Sequence, residues 1–205
     1  MSDILVTGFE PFGPYEHNPS ERLAHRLDGT DLAGHRVIGR VLPVAFDRVR
    51  PALLDVLEEC DPALVLSTGL AAGRPTLALE RIGINLRDTA GTPDNDDRNV
   101  VDRPVSPDGP DAYFATLPVR GMKTAMCEAG VPTRLSTSAG THLCNEVLYA
   151  TRHLVETTDA SFQSGFLHLP FSHAGAAKRD EGEPSMSLET MERGVRVGLE
   201  AALDR

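Results

Sequence analysis

Short apolar runs alternate with amphipathic segments along most of the chain. Runs rich in β-branched residues predict strands, and apolar residues that recur every three or four positions predict helices. One run, ALVLSTGLA at 63–71, is apolar without alternation, which is typical of a strand buried on both faces. Strands are predicted at 4–10, 35–44, 63–71, 77–86, 112–117, 133–138 and 165–171, and helices at 20–27, 47–59, 120–129, 143–155 and 187–203.

This alternation of strands and helices indicates an α/β protein with a twisted, largely parallel central sheet between two layers of helices. A chain of 205 residues is long enough for one good-sized core, and no internal repeat, coiled-coil heptad or linker interrupts the pattern. We therefore expect a single three-layer α/β/α domain over residues 1–205. Ser20 is the predicted N-cap of the helix at 20–27.

The pattern is broken once, by a polar stretch of about 25 residues after the predicted strand at 77–86. Its sequence is RDTAGTPDNDDRNVVDRPVSPDGPD, at 87–111. A loop of this length inside a compact domain is usually a lid, a binding loop or a mobile segment. The stretch is therefore a candidate to border a site.

The net charge and the N-terminal sequence indicate which partners and which compartment to expect. The formal net charge is −10 and no cluster of lysine and arginine occurs, which argues against nucleic acids and anionic lipid surfaces. The N-terminus lacks a basic segment followed by an apolar one, and no apolar run is long enough to span a membrane. We expect a cytoplasmic protein. In that reducing compartment, three cysteines spread along the chain do not form a disulfide framework.

The stretch STSAGTHLCNEVLYATRHL places Cys144 between the predicted strand at 133–138 and the predicted helix at 143–155. In α/β sheets the reactive groups usually gather where strands end and helices begin. A thiol in the first turn of a helix feels the positive end of the helix dipole, which favours the thiolate and would lower the thiol pKa. Cys144 is therefore a candidate nucleophile. The alternative is a small apolar residue on the buried face of the helix.

The other two cysteines are weaker candidates. Cys60 and Cys127 each lie at the end of an amphipathic helix beside acidic residues, in LEECD and MCEAG. Neighbouring negative charge raises the pKa of a thiol and so disfavours the reactive thiolate. We interpret both as structural residues.

A cysteine nucleophile needs an imidazole that accepts and returns its proton, and usually an acid that orients the imidazole. His168 interrupts the apolar strand GFLHLPF, and Glu80 lies within the aliphatic strand LALERIGI, so each needs a partner. A core histidine bonded to the backbone and a structural salt bridge are the alternatives. Together, the three residue types fit a thiol mechanism. Four other histidines are expected at the surface: His17, His25, His35 and His153.

A metal site is the competing interpretation of the cysteine, because His142 and Cys144 have the spacing of two zinc ligands. No CxxC or HxxxH pair accompanies them. The sequence also lacks a Walker loop and a GxGxxG motif, so no nucleotide is implied. We therefore expect neither a metal nor a cofactor.

Several motifs, in their order and spacing, resemble those of the pyroglutamyl peptidase I family, also called pyrrolidone carboxyl peptidases. They cover nearly the whole chain: VTGFEPFG, RVLPV, GLAAGR followed by LERIGIN, PDN, AYFATLP, SAGTHLCNEVLY, GFLHLPF and PSMSLETMERGV. The resemblance implies a cysteine peptidase of α/β fold that removes an N-terminal pyroglutamyl residue from peptides. It also implies a homotetramer that needs no metal.

Matched position by position, the resemblance makes Cys144 the nucleophile, His168 the general base and Glu80 the acid that orients the base. These three residues coincide with the candidates that the local sequence pattern indicates. For the substrate pocket it implies six positions: Phe9, Phe12, Leu70, Thr92, His142 and Leu143. The two phenylalanines would hold the flat lactam ring, for which ordinary packing is the alternative.

The chain departs from the family pattern at four places. Where the family usually has DARIPDN, this chain has DTAGTPDN, so that Gly91 takes the arginine position and Thr92 the isoleucine position. His142 replaces an aromatic or aliphatic residue, and Phe171 replaces a common tyrosine. The triad is unaffected, but the pocket and the loop are expected to differ.

Two other functions fit the same residues. One is a cysteine-dependent amidase that acts on another small cyclic or acyl amide, which a panel of substrates would separate. The other is a non-catalytic α/β binding protein, in which the thiol would react with alkylating agents no faster than free cysteine.

Overall fold

The chain folds around a central sheet, and a computed structural model describes residues 3–179 and 182–204. The strands are β1 Ile4–Phe9, β2 Asp31–Leu32, β3 His35–Leu42, β4 Leu64–Leu70, β5 Leu77–Glu80, β6 Ile82–Ile84, β7 Ala112–Phe114, β8 Thr133–Ser136, β9 Gln163–Leu169, β10 Phe171–Ser172 and β11 Ser185–Met186. The helices are α1 Pro19–Leu27, α2 Phe46–Cys60, α3 Val119–Glu128, α4 Leu143–Thr157, α5 His173–Ala176 and α6 Leu188–Leu203.

Within the described residues the central sheet has seven strands in the order β2-β3-β1-β4-β9-β5-β8. Strands β3, β1, β4 and β9 run parallel to one another, and β5 runs parallel to β8. The β9–β5 pair is antiparallel, and so is the short edge pair of β2 with β3. The prediction of an α/β fold with a largely parallel sheet is confirmed.

Helices cover both faces of this sheet because side chains alternate along each strand. On β9, Leu167 and Leu169 point into an apolar layer shared with α1, α3 and α6. Phe166 points to the other face, into a layer shared with α2 and α4. His168 is two residues beyond Phe166 on β9 and therefore lies on the α2 and α4 face. Glu80 comes next to Leu79 of the first layer on β5, so it also lies on the α2 and α4 face.

The range 77–86, predicted as one strand, is two strands in different sheets. β5 ends at Glu80, and β6 pairs with β7 in a separate antiparallel ribbon. Gly83 lets this ribbon approach α4, because a Cβ at Gly83 would lie 3.0 Å from the amide nitrogen of Tyr149. The prediction was wrong because a close contact with a helix, rather than the local pattern, redirects the chain after Glu80.

The N-cap of α1 is Asn18, not the predicted Ser20. The side chain of Asn18 accepts a hydrogen bond from the Ser20 amide at 3.1 Å, and Pro19 occupies the first turn, where no amide hydrogen is needed. The Ser20 hydroxyl has another role, since it accepts a hydrogen bond from the Phe9 amide at 3.0 Å. This bond fixes the start of α1 against the end of β1.

The polar stretch 87–111 contains no helix or strand among the described residues, apart from an isolated bridge between Arg87 and Arg103. Polar contacts hold it in place instead. The buried Asp94 carboxylate accepts hydrogen bonds from the amides of Phe46, Asp96 and Arg98 at 2.8–3.0 Å. The stretch therefore follows a defined path against the start of α2.

None of the described helices combines the length and apolarity that a membrane span requires.

Helix α1 packs so closely on β3 that we expect Gly39→Ala to destabilise the protein. A Cβ at Gly39 would lie 1.9 Å from the Ala24 carbonyl oxygen, which is backbone and cannot turn away. We expect the free energy of unfolding in urea to fall by about 3 kcal/mol. Gly198→Ala on α6 is the control, because its nearest neighbours are flexible methionine side chains and alanine favours a helix by up to about 1 kcal/mol. Equal unfolding midpoints for the two variants would contradict this account.

Candidate active site

Cys144 lies in the first turn of α4, as predicted, with His142 at the N-cap. The helix start is fixed by Asn145, whose side chain is fully buried. Asn145 accepts a hydrogen bond from the Ile84 amide and donates to the carbonyls of Ile84 and Leu86, all at 2.8–2.9 Å. An ion pair between Arg87 and Glu146 adds a second link to the same segment. These contacts determine where the Cys144 thiol lies.

The thiol lies directly over the sheet, beside β4. A Cβ at Gly69 would be 2.8 Å from Cys144 Sγ and 3.0 Å from the Phe166 ring. Gly69 is the register partner of His168 on β9. Only a residue without a side chain at position 69 leaves room for the sulfur beside the strand that carries the histidine.

Glu80 and His168 meet across the antiparallel pair of β5 and β9. His168 lies opposite Ala78, and Glu80 lies opposite Phe166, so the two side chains are diagonal neighbours on one face. His168 Nδ1 donates a hydrogen bond to Glu80 Oε1 at 2.8 Å. A carboxylate can only accept, so this bond fixes the hydrogen of the neutral ring on Nδ1 and leaves Nε2 as the basic nitrogen.

A cleft of about 340 Å³ opens over these residues. Cys144 and His168 both line it, whereas Glu80 is fully buried behind the imidazole. Thus the structure brings the three predicted catalytic residues together. The complete lining is Phe12, Leu70, Ala71, Ala72, Arg74, Thr89, Thr92, Ala139, Gly140, His142, Cys144 and His168.

Glu80 is an ionised acid despite its burial. Burial would raise the pKa of its carboxyl group, but the hydrogen bond from His168, the nearby Ser136 hydroxyl and the charge of Arg74 outweigh that effect and lower it. Ser136 is the register partner of Glu80 on β8, and Arg74 Nη1 lies 3.2 Å from Glu80 Oε1. The other carboxylate oxygen, Oε2, is buried and has no hydrogen-bond partner among the described residues.

Burial disfavours the charged forms of both the imidazole and the thiol. Burial lowers the pKa of His168, although the hydrogen bond to Glu80 works in the opposite direction. Burial and the negative charge of Glu80 raise the pKa of the Cys144 thiol to about 12. This direction is opposite to the one expected from the helix dipole, because desolvation of the sulfur and the charge of Glu80 both disfavour the thiolate.

Four of the six predicted pocket residues line the cleft: Phe12, Leu70, Thr92 and His142. His142 Nε2 donates to the Thr92 carbonyl at 3.2 Å and thereby joins the start of α4 to the polar stretch 87–111. Burial lowers the pKa of this histidine, so it is a neutral donor. Phe9 and Leu143 are instead buried in the apolar core on the α2 and α4 face.

Arg74 and Thr89 are cleft residues that sequence reasoning missed. Arg74 ends the loop sequence GLAAGR shortly after the buried strand β4, and an isolated charge near a strand end is a usable signal. Thr89 gives no signal, because it is one of many polar residues in the stretch 87–111.

The other cysteines occupy different surroundings. All three cysteines are free thiols. Burial raises the pKa of Cys60 at the end of α2. Cys127 is exposed near the end of α3, with its sulfur 3.5 Å from the Thr133 carbonyl oxygen.

His153 is not the surface residue that the sequence predicted. It is partly buried on α4, and its two ring nitrogens lie 3.0 Å from the hydroxyl groups of Ser106 and Tyr113. The prediction was wrong because the stretch 87–111 folds back over this part of the helix.

Comparisons with known proteins agree over the full length of the chain. A family model described as pyroglutamyl peptidase, Peptidase_C15, matches residues 2–205. The chain is 41% identical over 204 residues to a pyrrolidone-carboxylate peptidase of Pyrococcus furiosus, with 98% of each chain covered. It is 40% identical over 203 residues to a pyrrolidone-carboxylate peptidase of Escherichia fergusonii, covering 99% of this chain and 94% of the relative.

Solved structures show the same similarity. The structure of a pyrrolidone carboxyl peptidase from Thermococcus litoralis has a TM-score of 0.96 at 36% identity, covering 100% of this chain and 94% of that one. A mutant pyrrolidone carboxyl peptidase from Pyrococcus furiosus also has a TM-score of 0.96, at 40% identity with 99% of each chain covered.

The raised thiol pKa gives a direct prediction for the free protein. In a Cys60→Ser/Cys127→Ser variant, we expect no thiolate absorbance step between about pH 6 and pH 10, because Cys144 stays protonated there. Ultraviolet titration measures this, with the corresponding variant that also carries Cys144→Ser as the blank for tyrosine ionisation. A thiolate step near or below about pH 8.5 would contradict the neutral thiol.

Proposed function

Because this chain belongs to the pyroglutamyl peptidase family, we propose that it hydrolyses the amide bond after an N-terminal pyroglutamyl residue with Cys144, His168 and Glu80 as the catalytic triad. The observation that carries the proposal is the 2.8 Å hydrogen bond between Glu80 and His168 behind a cleft that His168 shares with Cys144. A thiol, a base and an orienting acid are the parts that acyl transfer through a thioester requires.

Acylation starts from the neutral groups. Cys144 Sγ attacks the pyroglutamyl carbonyl carbon while its proton passes to His168 Nε2, so that the thiolate need not exist before the substrate binds. Glu80 accepts from Nδ1 throughout and stabilises the imidazolium that forms. The positive charge on His168 and the negative charge on the substrate oxygen develop together in the cleft.

The start of α4 provides donors for the oxyanion. The intrahelical ladder begins with the Glu146 amide, which donates to the His142 carbonyl at 3.1 Å. The amides of Leu143, Cys144 and Asn145 precede that ladder, as the first amides of any helix do. The Cys144 amide is the proposed donor to the tetrahedral intermediate, at the positive end of the helix dipole.

Collapse of the tetrahedral intermediate breaks the C–N bond. The proton on His168 Nε2 passes to the leaving amine, and the pyroglutamyl group remains on Cys144 as a thioester. Water then gives a proton to His168 Nε2 and attacks the thioester carbon. The released pyroglutamate leaves the thiol protonated and the imidazole neutral, which is the starting state.

The lining of the cleft suits a neutral ring rather than a charged amine. Phe12, Leu70 and the alanines at 71 and 72 supply apolar surface, and the carboxylate of Glu80 is buried behind His168 rather than exposed to the substrate. A pyroglutamyl residue is an uncharged lactam, so no acid is needed to bind an ammonium group. Small apolar clefts with a few polar groups bind such ligands well.

We also propose a homotetramer in the cytoplasm. Two large apolar side chains among the described residues, Val101 and Phe114, are 63% and 66% exposed. We expect these two side chains to be covered at subunit contacts of the tetramer, because apolar surface gains free energy when it is removed from water. Light scattering at micromolar protein that shows only monomer would contradict the tetramer.

The identity of the nucleophile is tested by replacing each cysteine in turn. We expect Cys144→Ala to lose at least about a thousandfold in kcat/KM for release of a chromogenic amine from a pyroglutamyl amide. Cys60→Ser and Cys127→Ser are the matched controls and should remain close to wild type, because neither thiol lines the cleft. Substantial activity in the Cys144→Ala variant would refute the mechanism.

Replacing the base should lower the activity more than replacing the acid that orients it. His168→Ala should be nearly as damaging as loss of the thiol, because proton transfer has no other acceptor. Glu80→Gln should lose less, about a hundredfold in kcat, since the ring can still accept a proton but is less well oriented. The measurement is the pair of kcat values on one pyroglutamyl amide. A harmless Glu80→Gln would reduce Glu80 to a structural partner of Arg74.

The substrate class is tested separately from the triad. Prolyl amides carry a cationic amine and lack the lactam carbonyl, so we expect their kcat/KM to be at least about a thousandfold lower than that of pyroglutamyl amides. Comparable values for the two would instead favour an amidase of broader or different specificity, even with the triad confirmed.

A further inference from the structure

Arg74 is a charged residue of the cleft wall that the proposed mechanism does not use. It follows β4, and its side chain is 31% exposed, so it contacts both the cleft and the protein interior. Its guanidinium Nη1 lies 3.2 Å from Glu80 Oε1. Arg74 is thus the one cleft-lining cation among the described residues that touches the buried acid.

The hydrogen bond from Arg74 goes to the same oxygen that His168 uses. Glu80 Oε1 accepts from both Arg74 Nη1 and His168 Nδ1, while Oε2 is buried and without a partner among the described residues. A carboxylate held by two donors on one oxygen cannot turn without losing one of them. Arg74 therefore fixes the rotation of the Glu80 carboxylate that presents Oε1 to the imidazole.

The charge of Arg74 also acts on both groups that exchange the proton. A positive charge near His168 disfavours the imidazolium and lowers its pKa, and the same charge favours the thiolate of Cys144. The other charged or titratable groups that face His168 are Glu80 on β5 and Arg134 on β8. Arg134 is exposed to solvent on β8. Arg74 is therefore the cation that contacts the triad, through Glu80.

We propose that Arg74 is a positioning residue of the reaction, which holds Glu80 Oε1 against His168 Nδ1 and sets the proton balance between His168 and Cys144. The inference rests on the proposed function of the triad. It assigns Arg74 no contact with the reacting atoms, because its hydrogen bond is to Glu80. Its effect should therefore appear in kcat and in the pH dependence rather than in substrate binding.

The test compares Arg74→Gln and Arg74→Lys with wild type over a range of pH. In Arg74→Gln the pKa of His168 rises, so the imidazole stays protonated to a higher pH. The acid limb, which is the increase of kcat/KM with pH on the acid side, should therefore shift to higher pH. We expect an upward shift of roughly half to one pH unit, the size that a partly solvated charge at this range produces, and a fall of about tenfold in kcat. Arg74→Lys keeps the charge and should keep the wild-type acid limb.

Arg196→Gln is the matched control. Arg196 on α6 is 30% exposed and its ion pair with Glu192 is also 3.2 Å long, but it lies outside the cleft. It should leave both kcat and the acid limb unchanged. Should Arg74→Gln not fold, as judged by its thermal transition, Arg74→Met takes its place, since it keeps the aliphatic stem.

A second readout does not depend on the substrate. In the Cys60→Ser/Cys127→Ser background, the pH profile of Cys144 alkylation by iodoacetamide should be displaced to higher pH in Arg74→Gln. This appears as slower alkylation than in the parent at any pH up to about 10, because the positive charge that favours the thiolate is gone. Arg74→Lys should follow the parent. If the parent failed to cleave pyroglutamyl amides yet showed this shift, the proposed function would fall and the coupling would stand.

Two results would overturn the inference. One is a change in KM alone, with the acid limb and the alkylation profile of Arg74→Gln unchanged, which would make Arg74 a wall of the cleft and no more. The other is an equal effect of Arg74→Gln and Arg196→Gln, which would reflect general stability.

Discussion

The hydrogen bond between Glu80 and His168 joins the only antiparallel neighbours in the interior of the described central sheet, β5 and β9. The reversal of direction makes the two side chains diagonal neighbours on one face, so that a short acid reaches the imidazole across two strands. The same face carries α4 and therefore Cys144. The positions of Glu80 and His168 therefore follow from where this pair of strands meets.

The burial of Glu80, His168 and Cys144 determines the chemistry of this site. A buried carboxylate is costly unless it is hydrogen-bonded and paired, and Glu80 has His168 and Arg74 on one oxygen while its other oxygen has no described partner. The same burial keeps the thiol and the imidazole neutral. The proton can then move from sulfur to nitrogen as the substrate carbonyl is attacked, in surroundings where the developing charges interact strongly.

The sequence predicted the α/β fold because strands and helices alternate along it, and it marked the three residues of the proposed triad as candidates because of their local context. Glu80 and His168 each interrupt an apolar strand, and Cys144 begins a helix. The antiparallel direction of β5, the path of the stretch 87–111 and the thiol pKa depend on contacts between distant residues. Gly83 against Tyr149 and Asp94 against Phe46 are such contacts, and no local pattern reveals them.

The most direct measurement is acid-quench mass spectrometry of the protein during turnover of an activated pyroglutamyl ester, which makes hydrolysis of the acyl-enzyme the slow step. The account predicts a fraction of protein heavier by one pyroglutamyl group, with the group mapped to Cys144 and lost on treatment with hydroxylamine, as a thioester should be. An acyl group on Cys60, Cys127 or a hydroxyl side chain, or turnover of the ester with no acylated protein at any quench time, would contradict it.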